Sequence, residues 1–432
     1  MTTVSVHAGD RRPRPEDAFA ENLDGAALAR ADEVLDRLMT TREGMADPYP
    51  QYRELRETAP LYRSGWDGLW YASRYDDCKA ILHDPMAGRS PEGFRYRHGM
   101  NQTFAKRFSR QMRSNMLMAN PPEHTRLRAP VSRTFTPRRM AALESQIAAR
   151  VDAICDEMAE AAEVDLMAVM AFALPVAVIG DLVGVPTDDR ERFRILSRVT
   201  QAAAEPDATP EMQAAAERAM DAQEAFFVDL VAEKRGHPGD DLLSDLIAQR
   251  DAGGSLSEAE LVSTARLLFG AGFVTTTNLI GNAMLTLFRH PDQMARLWDD
   301  PSLATSTVEE VLRYESIVQS NGREVLETTE LAGQLLLPGD FVVTLIGGAN
   351  RDPARFTDPE HFDIGRAEEV PLSFGWGVHH CLGAPLARLE GKLVLSRFAE
   401  RFASMELAGP EPPWSRSFLR GVGNLPVRVV AR

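Results

Sequence analysis

The chain has 432 residues, 44% of them hydrophobic and 26% charged, which is typical of soluble globular proteins and allows one large domain or two to three smaller ones. The formal net charge of −15 argues against nucleic-acid binding, which requires a basic surface. Three cysteines are too few and too widely spaced for a disulfide framework and suit a reducing cytoplasm. No apolar run of signal-peptide or membrane length occurs in residues 1–30, so we expect no membrane anchor.

The N-terminal part of the chain predicts an arm followed by a helix and a hairpin. Residues 1–30 are interpreted as a loose arm and residues 31–432 as one domain, because no repeat or low-complexity linker divides them. An amphipathic helix is predicted over 47–60 and a strand hairpin over 66–75. The turn signals of that hairpin are Gly65, Asp67 and Gly68.

The middle of the chain predicts long helices. Residues 137–235 are rich in Ala, Leu, Met and Glu and are expected to be helical, with breaks at Gly180, Gly184 and Pro186. Ser257 and Glu260 have the spacing of a capping box, which predicts the start of a helix that continues to about Arg289.

The C-terminal part of the chain predicts short strands. Residues 325–348 are expected to form several, with a turn at 337–340, and residues 418–430 alternate like a hairpin. A mainly helical chain with small β additions is therefore expected.

The most informative segment is a glycine-rich loop that ends on a cysteine where a helix begins, Phe374-Gly375-Trp376-Gly377-Val378-His379-His380-Cys381-Leu382-Gly383. Its glycines allow a tight turn and a close approach to a flat ligand. Pro385 suits the first turn of the following helix. A cysteine before a helix N-terminus is favoured as a thiolate, which is a soft metal ligand. A small buried loop residue is the alternative, but it explains the cysteine alone and not the order of the residues around it.

This order resembles the heme-binding signature of the cytochrome P450 superfamily, Phe-Gly-x-Gly-x-His-x-Cys-x-Gly, at every fixed position. The resemblance extends from about residue 45 to the C-terminus. It implies a single-domain, mainly α P450 fold with small β-sheets, and heme b between a long distal helix and the helix after the cysteine loop. By the resemblance, Cys381 is the thiolate ligand of the iron, and Phe374, Gly375 and Gly383 belong to the cofactor-binding loop.

The predicted long helix contains Ala271-Gly272-Phe273-Val274-Thr275. Ala271 and Thr275 share a face, and small residues at 271 and 272 would leave space for a diatomic ligand. Alternatively, the threonine hydroxyl bonds back to the carbonyl four residues earlier. The run resembles the distal helix of the superfamily, so Thr275 matches its oxygen-activating threonine. Val274 replaces the acid of the family motif, and a valine cannot relay protons.

Charged residues elsewhere match further motifs of the superfamily. Glu310 and Arg313, at i and i+3, alone predict an exposed helix pair of little energy. Their position about 70 residues before Cys381 resembles the internal Glu-x-x-Arg motif, and Arg366, in a segment resembling the family's meander, is expected to complete a structural ion-pair network. By resemblance, the donors to the heme propionates are His124, Arg128, Arg323 and His379; the alternative for each is an ordinary surface charge.

The substrate pocket is assigned by resemblance alone, to Leu268, Phe273, Val318, Gln319, Ser320, Asn321, Phe418 and Leu419. Segment 86–118 has seven basic residues and one acidic residue, which indicates either a solvated loop or an entrance for an anionic or carrier-tethered substrate. Arg266, on the predicted long helix, would reach solvent, pair with an acid or hold a substrate carboxylate.

The resemblance implies a monooxygenase that hydroxylates or epoxidises a medium-sized apolar secondary metabolite with O2. No flavin or iron–sulfur motif is present, so electrons from NAD(P)H are expected through a separate ferredoxin and its reductase. A basic docking patch for that ferredoxin is assigned to Arg126, Arg133, Arg138 and Arg139. Val274 motivates the alternatives of oxidative rearrangement, ring coupling or peroxide-driven oxidation, and a non-enzymatic heme sensor is the third hypothesis. A monomeric protein acting on a small molecule is expected.

Overall fold

The structure is a computed structural model and describes residues 23–90, 114–203, 205, 208–415 and 419–432. Helices dominate it. Their bounds are α1 Gly25–Thr40, α2 Arg42–Ala46, α3 Tyr49–Thr58, α4 Tyr75–His83, α5 Glu123–Ser132, α6 Pro137–Ala161, α7 Ala173–Val183, α8 Thr187–Ala202, α9 Pro210–Gly236, α10 Leu242–Asp251, α11 Glu258–Arg289, α12 Pro291–Asp299, α13 Ala304–Tyr314, α14 Ile346–Ala349 and α15 Ala384–Arg401.

Ten short strands form three small sheets in the described part of the chain. They are β1 Leu61–Arg63, β2 Trp70–Ala72, β3 Ala87–Gly88, β4 Glu163–Asp165, β5 Asn321–Val325, β6 Thr329–Leu331, β7 Gln334–Leu336, β8 Phe341–Thr344, β9 Phe402–Leu407 and β10 Pro426–Ala431. The largest sheet has the order β1-β2-β8-β5-β3, in which β2 and β8 are parallel and the other neighbours antiparallel. The others have the orders β4-β10-β9 and β6-β7. The prediction of a mainly α fold with small sheets is confirmed.

The long helix α11 lies at the centre of the main hydrophobic core and packs against α7 and α15. Its predicted capping box is present, because the Ser257 hydroxyl accepts from the Glu260 N–H and the Glu260 carboxylate accepts from the Ser257 N–H. Most residues after Phe273 are buried, which agrees with a helix that is apolar on nearly all sides. Its start and its end at Arg289 both match the prediction.

Two local predictions in the first half were wrong. The hairpin consists of β1 and β2, so the first strand lies before the predicted segment, although the turn between the strands does contain the predicted residues. Helix α7 continues through Gly180 and ends before Gly184, whose φ is +90°. A Cβ at Gly180 would lie 2.6 Å from Nε of Arg190, so this glycine permits close packing and does not break the helix.

The C-terminal segment does not pair with itself as predicted. Strand β10 pairs with β9 and β4, and Trp414↔Val422 is an isolated bridge. At the other end, residues 25–30, which were assigned to the loose arm, belong to α1; the remainder of that arm, residues 1–22, lies outside the described residues. None of the helices in the described segments combines the length and apolar character needed to span a membrane.

Candidate active site

The cysteine loop has a backbone that only glycine adopts easily at two positions. Gly375 and Gly377 have φ of +70° and +71°, and a Cβ at Gly377 would lie 2.7 Å from the carbonyl oxygen of Leu82. The Cys381 N–H donates to the Phe374 carbonyl at 2.9 Å and closes the loop. Helix α15 follows, with Gly383 as its N-cap residue. The loop therefore holds Cys381 two residues before the cap of a helix N-terminus.

The thiol of Cys381 is subject to opposing effects. Burial raises its pKa, and the N–H of Gly383, the guanidinium of Arg128 and the N–H of Ala384 lower it without cancelling the effect of burial. The residue nevertheless keeps accessible surface. The two N–H groups and Arg128 thus favour the thiolate against the effect of burial, and a coordinated metal ion would deprotonate the thiol outright.

Four predicted propionate donors come together beside this loop. Arg128 of α5 donates to the carbonyls of Val378 and His380 at 3.2 and 2.7 Å. The rings of His124 and His379 lie 4.3 Å apart between centroids, and the Nε2 atom of each is buried without a hydrogen-bond partner. Burial lowers the pKa of all four donors, including Arg323. They lie close together, and none pairs with a carboxylate among the described residues.

A fifth cationic residue, Arg89, lies near these four; sequence reasoning grouped it with the arginines of segment 86–118 and did not assign it to the site. It directly follows β3, and its positive charge is one of those that lower the pKa of His379, after the effect of burial. The antiparallel pairing of β3 with β5, which brings it to the site, is not visible in the sequence.

The chemistry of the site fits heme. His124 and Arg323 are buried and Arg128 and His379 half-buried, and none of them has an acidic partner among the described residues. Donors of this kind need an anionic ligand, and heme has two carboxylates. Beyond the glycine and its neighbours in the chain, no described atom lies within 4 Å of the position that a Cβ at Gly383 would occupy, and only the His379 carbonyl, at 3.9 Å, is near that position at Gly375. The loop thus leaves room beside Cys381. The residues present fit a heme.

One face of α11 is suited to the distal side of such a site. Ala271 is exposed although the helix lies in the core, and Leu268 and Thr275 share its face at helical spacing. The Thr275 hydroxyl donates to the Ala271 carbonyl at 3.0 Å, which is the back-bond considered as the alternative from sequence. Arg266, near the middle of the first half of α11, pairs with Glu224 at 3.7 Å. Pairing with an acid was one of the three roles considered for Arg266 from the sequence.

Two residues of α11 have roles other than those predicted. A Cβ at Gly272 would lie 2.5 Å from Cγ1 of Ile179, so this glycine allows close packing against α7 and does not provide space for a ligand. Phe273 is 2% exposed and packs on Phe172 and Phe269, at ring distances of 5.6 and 5.3 Å. It belongs to the core and not to the exposed face of Ala271. Val274 also packs partly buried against that core.

The other predicted pocket residues lie near β5. Val318 and Leu419 form an isolated bridge, and Ser320 is half-buried. Gln319 is buried with its Oε1 atom unpaired, and Asn321 accepts from Arg323 at 2.8 Å. Phe418 lies outside the described residues. Residues 318–321, which were assigned to the substrate pocket, therefore directly precede the part of β5 that contains the predicted propionate donor Arg323.

The ion-pair network is buried. Arg313 Nε and Nη2 donate to the Glu310 carboxylate at 2.7 and 2.8 Å, and Arg366 Nε lies 3.2 Å from the same carboxylate. The side chains of Glu310 and Arg313 are 1% and 2% exposed. The exposed pair expected from the motif alone is thus not observed, because the segment after α14 covers it.

Asn350 connects this network to the cysteine loop, a role that the sequence did not indicate. Its carbonyl accepts from Arg313 at 3.1 Å, and its side-chain oxygen accepts from the Leu372 N–H at 2.7 Å. Its Nδ2 donates to the hydroxyls of Ser316 and Ser373, both at 2.8 Å. The network therefore positions the start of the loop that presents Cys381.

The predicted basic patch is smaller than expected. Arg126 forms ion pairs with Glu123 and Glu260, which neutralise its charge. Arg133, Arg138 and Arg139 are exposed, and no acidic partner contacts them in the described part of the chain.

Comparison with known proteins agrees with the fold. The family model described as Cytochrome P450 matches residues 63–302 and 299–428. The chain belongs to the cytochrome P450 family, whose members bind heme through a cysteine thiolate, and it is an oxidoreductase of the monooxygenase type.

Relatives match along nearly the whole chain. Cytochrome P450 107B1 of Saccharopolyspora erythraea is 39% identical over 92% of this chain and 98% of its own length. The 6-deoxyerythronolide B hydroxylase of the same organism is 37% identical, over 89% and 96%. The crystal structure of Mycobacterium smegmatis CYP164A2 superimposes with a TM-score of 0.82 at 36% identity, over 92% and 100%. The chain thus resembles bacterial P450 enzymes, in agreement with the predicted single-domain fold.

Proposed function

We propose that this chain is a heme-thiolate monooxygenase in which Cys381 is the iron ligand and heme activates O2. The observation that carries the proposal is the cluster of buried and half-buried donors beside the cysteine loop, none of which pairs with a carboxylate in the part of the chain that the structure describes. His124, Arg128, Arg323 and His379 would hold the two propionates. Phe374, Gly375 and Gly383 would shape the loop around the ring.

On the distal face, Ala271 leaves space and Thr275 offers a hydroxyl. That hydroxyl is bonded to the Ala271 carbonyl through its own hydrogen, so its oxygen remains free to accept a hydrogen bond. The ion-pair network of Glu310, Arg313 and Arg366 would hold the cysteine loop in place through Asn350.

The thiolate assignment is tested by spectroscopy. The reduced carbon monoxide adduct of the purified protein should show the red-shifted Soret band that gives the family its name, and Cys381→Ala should abolish it. Cys78→Ser and Cys155→Ser are matched controls, because both thiols are buried elsewhere and should leave the band unchanged. If the band survives in Cys381→Ala, the assignment is wrong.

The propionate donors are tested by heme retention. Truncating one donor leaves a partly buried carboxylate unpaired, at a cost of about 1–3 kcal/mol. Arg128→Ala and Arg323→Ala should therefore lower heme occupancy more than Arg95→Ala and Arg107→Ala. Equal occupancy in all four variants would contradict the assignment.

The substrate proposal is a medium-sized, mostly apolar secondary metabolite that is hydroxylated or epoxidised. It is supported by the name of one relative, 6-deoxyerythronolide B hydroxylase. Electrons from NAD(P)H would arrive through a separate ferredoxin and its reductase, docking at Arg133, Arg138 and Arg139. The monomeric state and cytoplasmic location predicted above belong to this proposal.

The experiment for the substrate is a screen of candidate metabolites for the spin-state shift that follows displacement of the distal water. Hits should then give an oxygenated product that depends on NADH and a surrogate redox pair. Turnover supported by peroxide but not by NADH would instead favour the second candidate function, a peroxide-driven oxidation. Val274 is the observation that favours that candidate, since it places an apolar side chain where the family has an acid.

A further inference from the structure

We propose that Arg89 binds a heme carboxylate together with Arg323, and that Asn120 positions Arg89. Arg323 lies on β5, and Arg89 directly follows β3 at the position opposite Arg323. This inference rests on the proposed function, since it assumes that heme occupies the site. It adds a binding residue that lies outside the heme signature and the other motifs.

The strand register places the two arginines together. Antiparallel strands β3 and β5 pair Ala87 with Val325 and Gly88 with Glu324. Continuing the same register puts Arg89 directly opposite Arg323. Directly opposed residues point to the same face of a sheet, and like charges in such a pair are destabilising. A bound anion between the two side chains would convert this repulsion into a favourable contact.

Neither arginine has an acidic partner among the described residues. The Nε atom of Arg89 is buried without a hydrogen bond, and the hydrogen bonds of this residue are made by its backbone. Arg323 is 1% exposed and donates to the side chain of Asn321 and the carbonyl of Gly322. Burial lowers the pKa of Arg89 to about 10, and burial followed by the charge of Arg89 lowers the pKa of Arg323. Buried guanidinium groups of this kind need an anion.

Asn120 fixes Arg89 relative to the other donors. Its Oδ1 accepts from the Arg89 N–H at 2.6 Å, and its Nδ2 donates to the Arg89 carbonyl at 2.9 Å. Its own carbonyl accepts from the His124 N–H at 2.8 Å, at the start of α5. A Cβ at Gly88 would lie 2.7 Å from Oδ1 of Asn120, so the glycine permits this approach. The side chain of Asn120 therefore links β3 to the helix that provides two other donors.

The charge balance predicts a measurable effect on the iron. Arg89, Arg128 and Arg323 supply three positive charges to two carboxylates, which leaves an excess positive charge near the ring. Positive charge stabilises the ferrous state, which has one positive charge fewer than the ferric state. The reduction potential of the heme should therefore depend on Arg89 as well as on its ligands.

The test uses the holoenzyme and two readouts other than activity: the rate of heme transfer to excess apomyoglobin, and the midpoint potential of the iron. Arg89→Gln should accelerate heme loss about tenfold, equivalent to about 1.4 kcal/mol, and shift the potential to more negative values. Arg89→Lys keeps the charge without the bidentate geometry, so its potential should stay near the parent value while heme loss is faster. Asn120→Ala should accelerate heme loss less than Arg89→Gln.

Arg56→Gln is the matched control. Arg56 is a buried arginine whose pKa is likewise lowered by burial, but it donates to the Gly348 carbonyl and its charged neighbours are not the heme donors. It should leave both readouts unchanged. Heme loss from Arg89→Gln within twofold of the parent, with an unchanged potential, would overturn the proposal while the parent's carbon monoxide spectrum still supported the thiolate assignment. If Arg89→Gln does not accumulate as holoenzyme, Arg89→Lys decides by heme loss alone: a rate within twofold of the parent would overturn the proposal.

Discussion

Replacing Glu310 by glutamine should reveal how much of the stability depends on the buried ion-pair network. The Glu310 carboxylate accepts from Arg313 at 2.7 and 2.8 Å, from the Asp363 N–H at 2.9 Å and from Arg366 Nε at 3.2 Å. Glutamine has one acceptor oxygen, and its NH2 group would face guanidinium donors. Arg313 would lose its acidic partner among the described residues, whereas Arg366 would keep Glu368 at 2.8 Å. Because the pair of Glu310 and Arg313 is buried, we expect a loss of about 3–5 kcal/mol in the free energy of unfolding.

The neighbouring Glu309 provides a control on the same helix. Its ion pair with Arg388 is about one-third exposed on both sides, so solvent screens it and Glu309→Gln should cost about 0–1 kcal/mol. The assay is urea unfolding of the holoenzyme, followed by the Soret band and by far-UV circular dichroism. The Soret signal of Glu310→Gln should be lost at lower urea than its helix signal, because Arg313 connects through Asn350 to the cysteine loop. Equal midpoints for Glu309→Gln and Glu310→Gln would refute this reasoning.

Three further predictions concern other parts of the molecule. Val274→Glu should lower the amount of product formed per NADH, as Thr275→Ala should. A glutamate packed against this core would be desolvated and its pKa raised. A clear gain in product per NADH would instead show that the enzyme lacks a proton-relaying acid at this position. Arg138→Glu should slow the reduction of the protein by ferredoxin at low salt and much less at high salt. Arg53 is exposed on α3, outside the proposed patch, and Arg53→Glu should have no effect. Equal reduction rates for the two variants would contradict the proposed docking patch. Burial raises the pKa of Glu390 well above its usual range. The folded state therefore loses stability as the pH rises from the ordinary pKa of a glutamate in the unfolded chain, about 4.3, towards the raised pKa. Glu390→Gln should therefore raise the urea midpoint more at pH 8 than at pH 5. An equal increase at both pH values would contradict a raised pKa of Glu390.

Local patterns in the sequence were sufficient for the parts of the fold that depend on local interactions. The capping box at Ser257 and the continuous apolar run after it predicted α11 at both ends. The error at Gly180 has a tertiary cause, because the glycine accommodates Arg190 from the next helix. The C-terminal strand was mispaired for a similar reason. Alternation predicts a strand, but it does not identify β9, about 20 residues earlier, as the partner.

In the candidate site, too, residues in a local motif could be recognised from the sequence, whereas residues that depend on tertiary contacts could not. The cysteine loop could be recognised as a candidate site because it is one continuous motif, with a backbone that favours glycine at Gly375 and Gly377. Gly272 and Phe273 were misassigned because their positions around the helix axis depend on which face α7 covers, and periodicity alone does not specify that. Arg89 and Asn350 act through contacts with residues distant in sequence, so nothing in their local sequence distinguishes them from other polar residues in loops.

The opposed positions of Arg89, directly after β3, and Arg323, on β5, have a consequence for how the protein acquires its prosthetic group. β3 is a two-residue edge strand, joined to its sheet by two residue pairs, and in the apoprotein it carries the unrelieved repulsion between Arg89 and Arg323. A ligand that binds only the form in which β3 is paired with β5 stabilises that form by mass action. We therefore expect this edge to open transiently before the cofactor is loaded and to close on it afterwards. Backbone amides of residues 87–89 should accordingly exchange with deuterium faster in the apoprotein than in the holoenzyme.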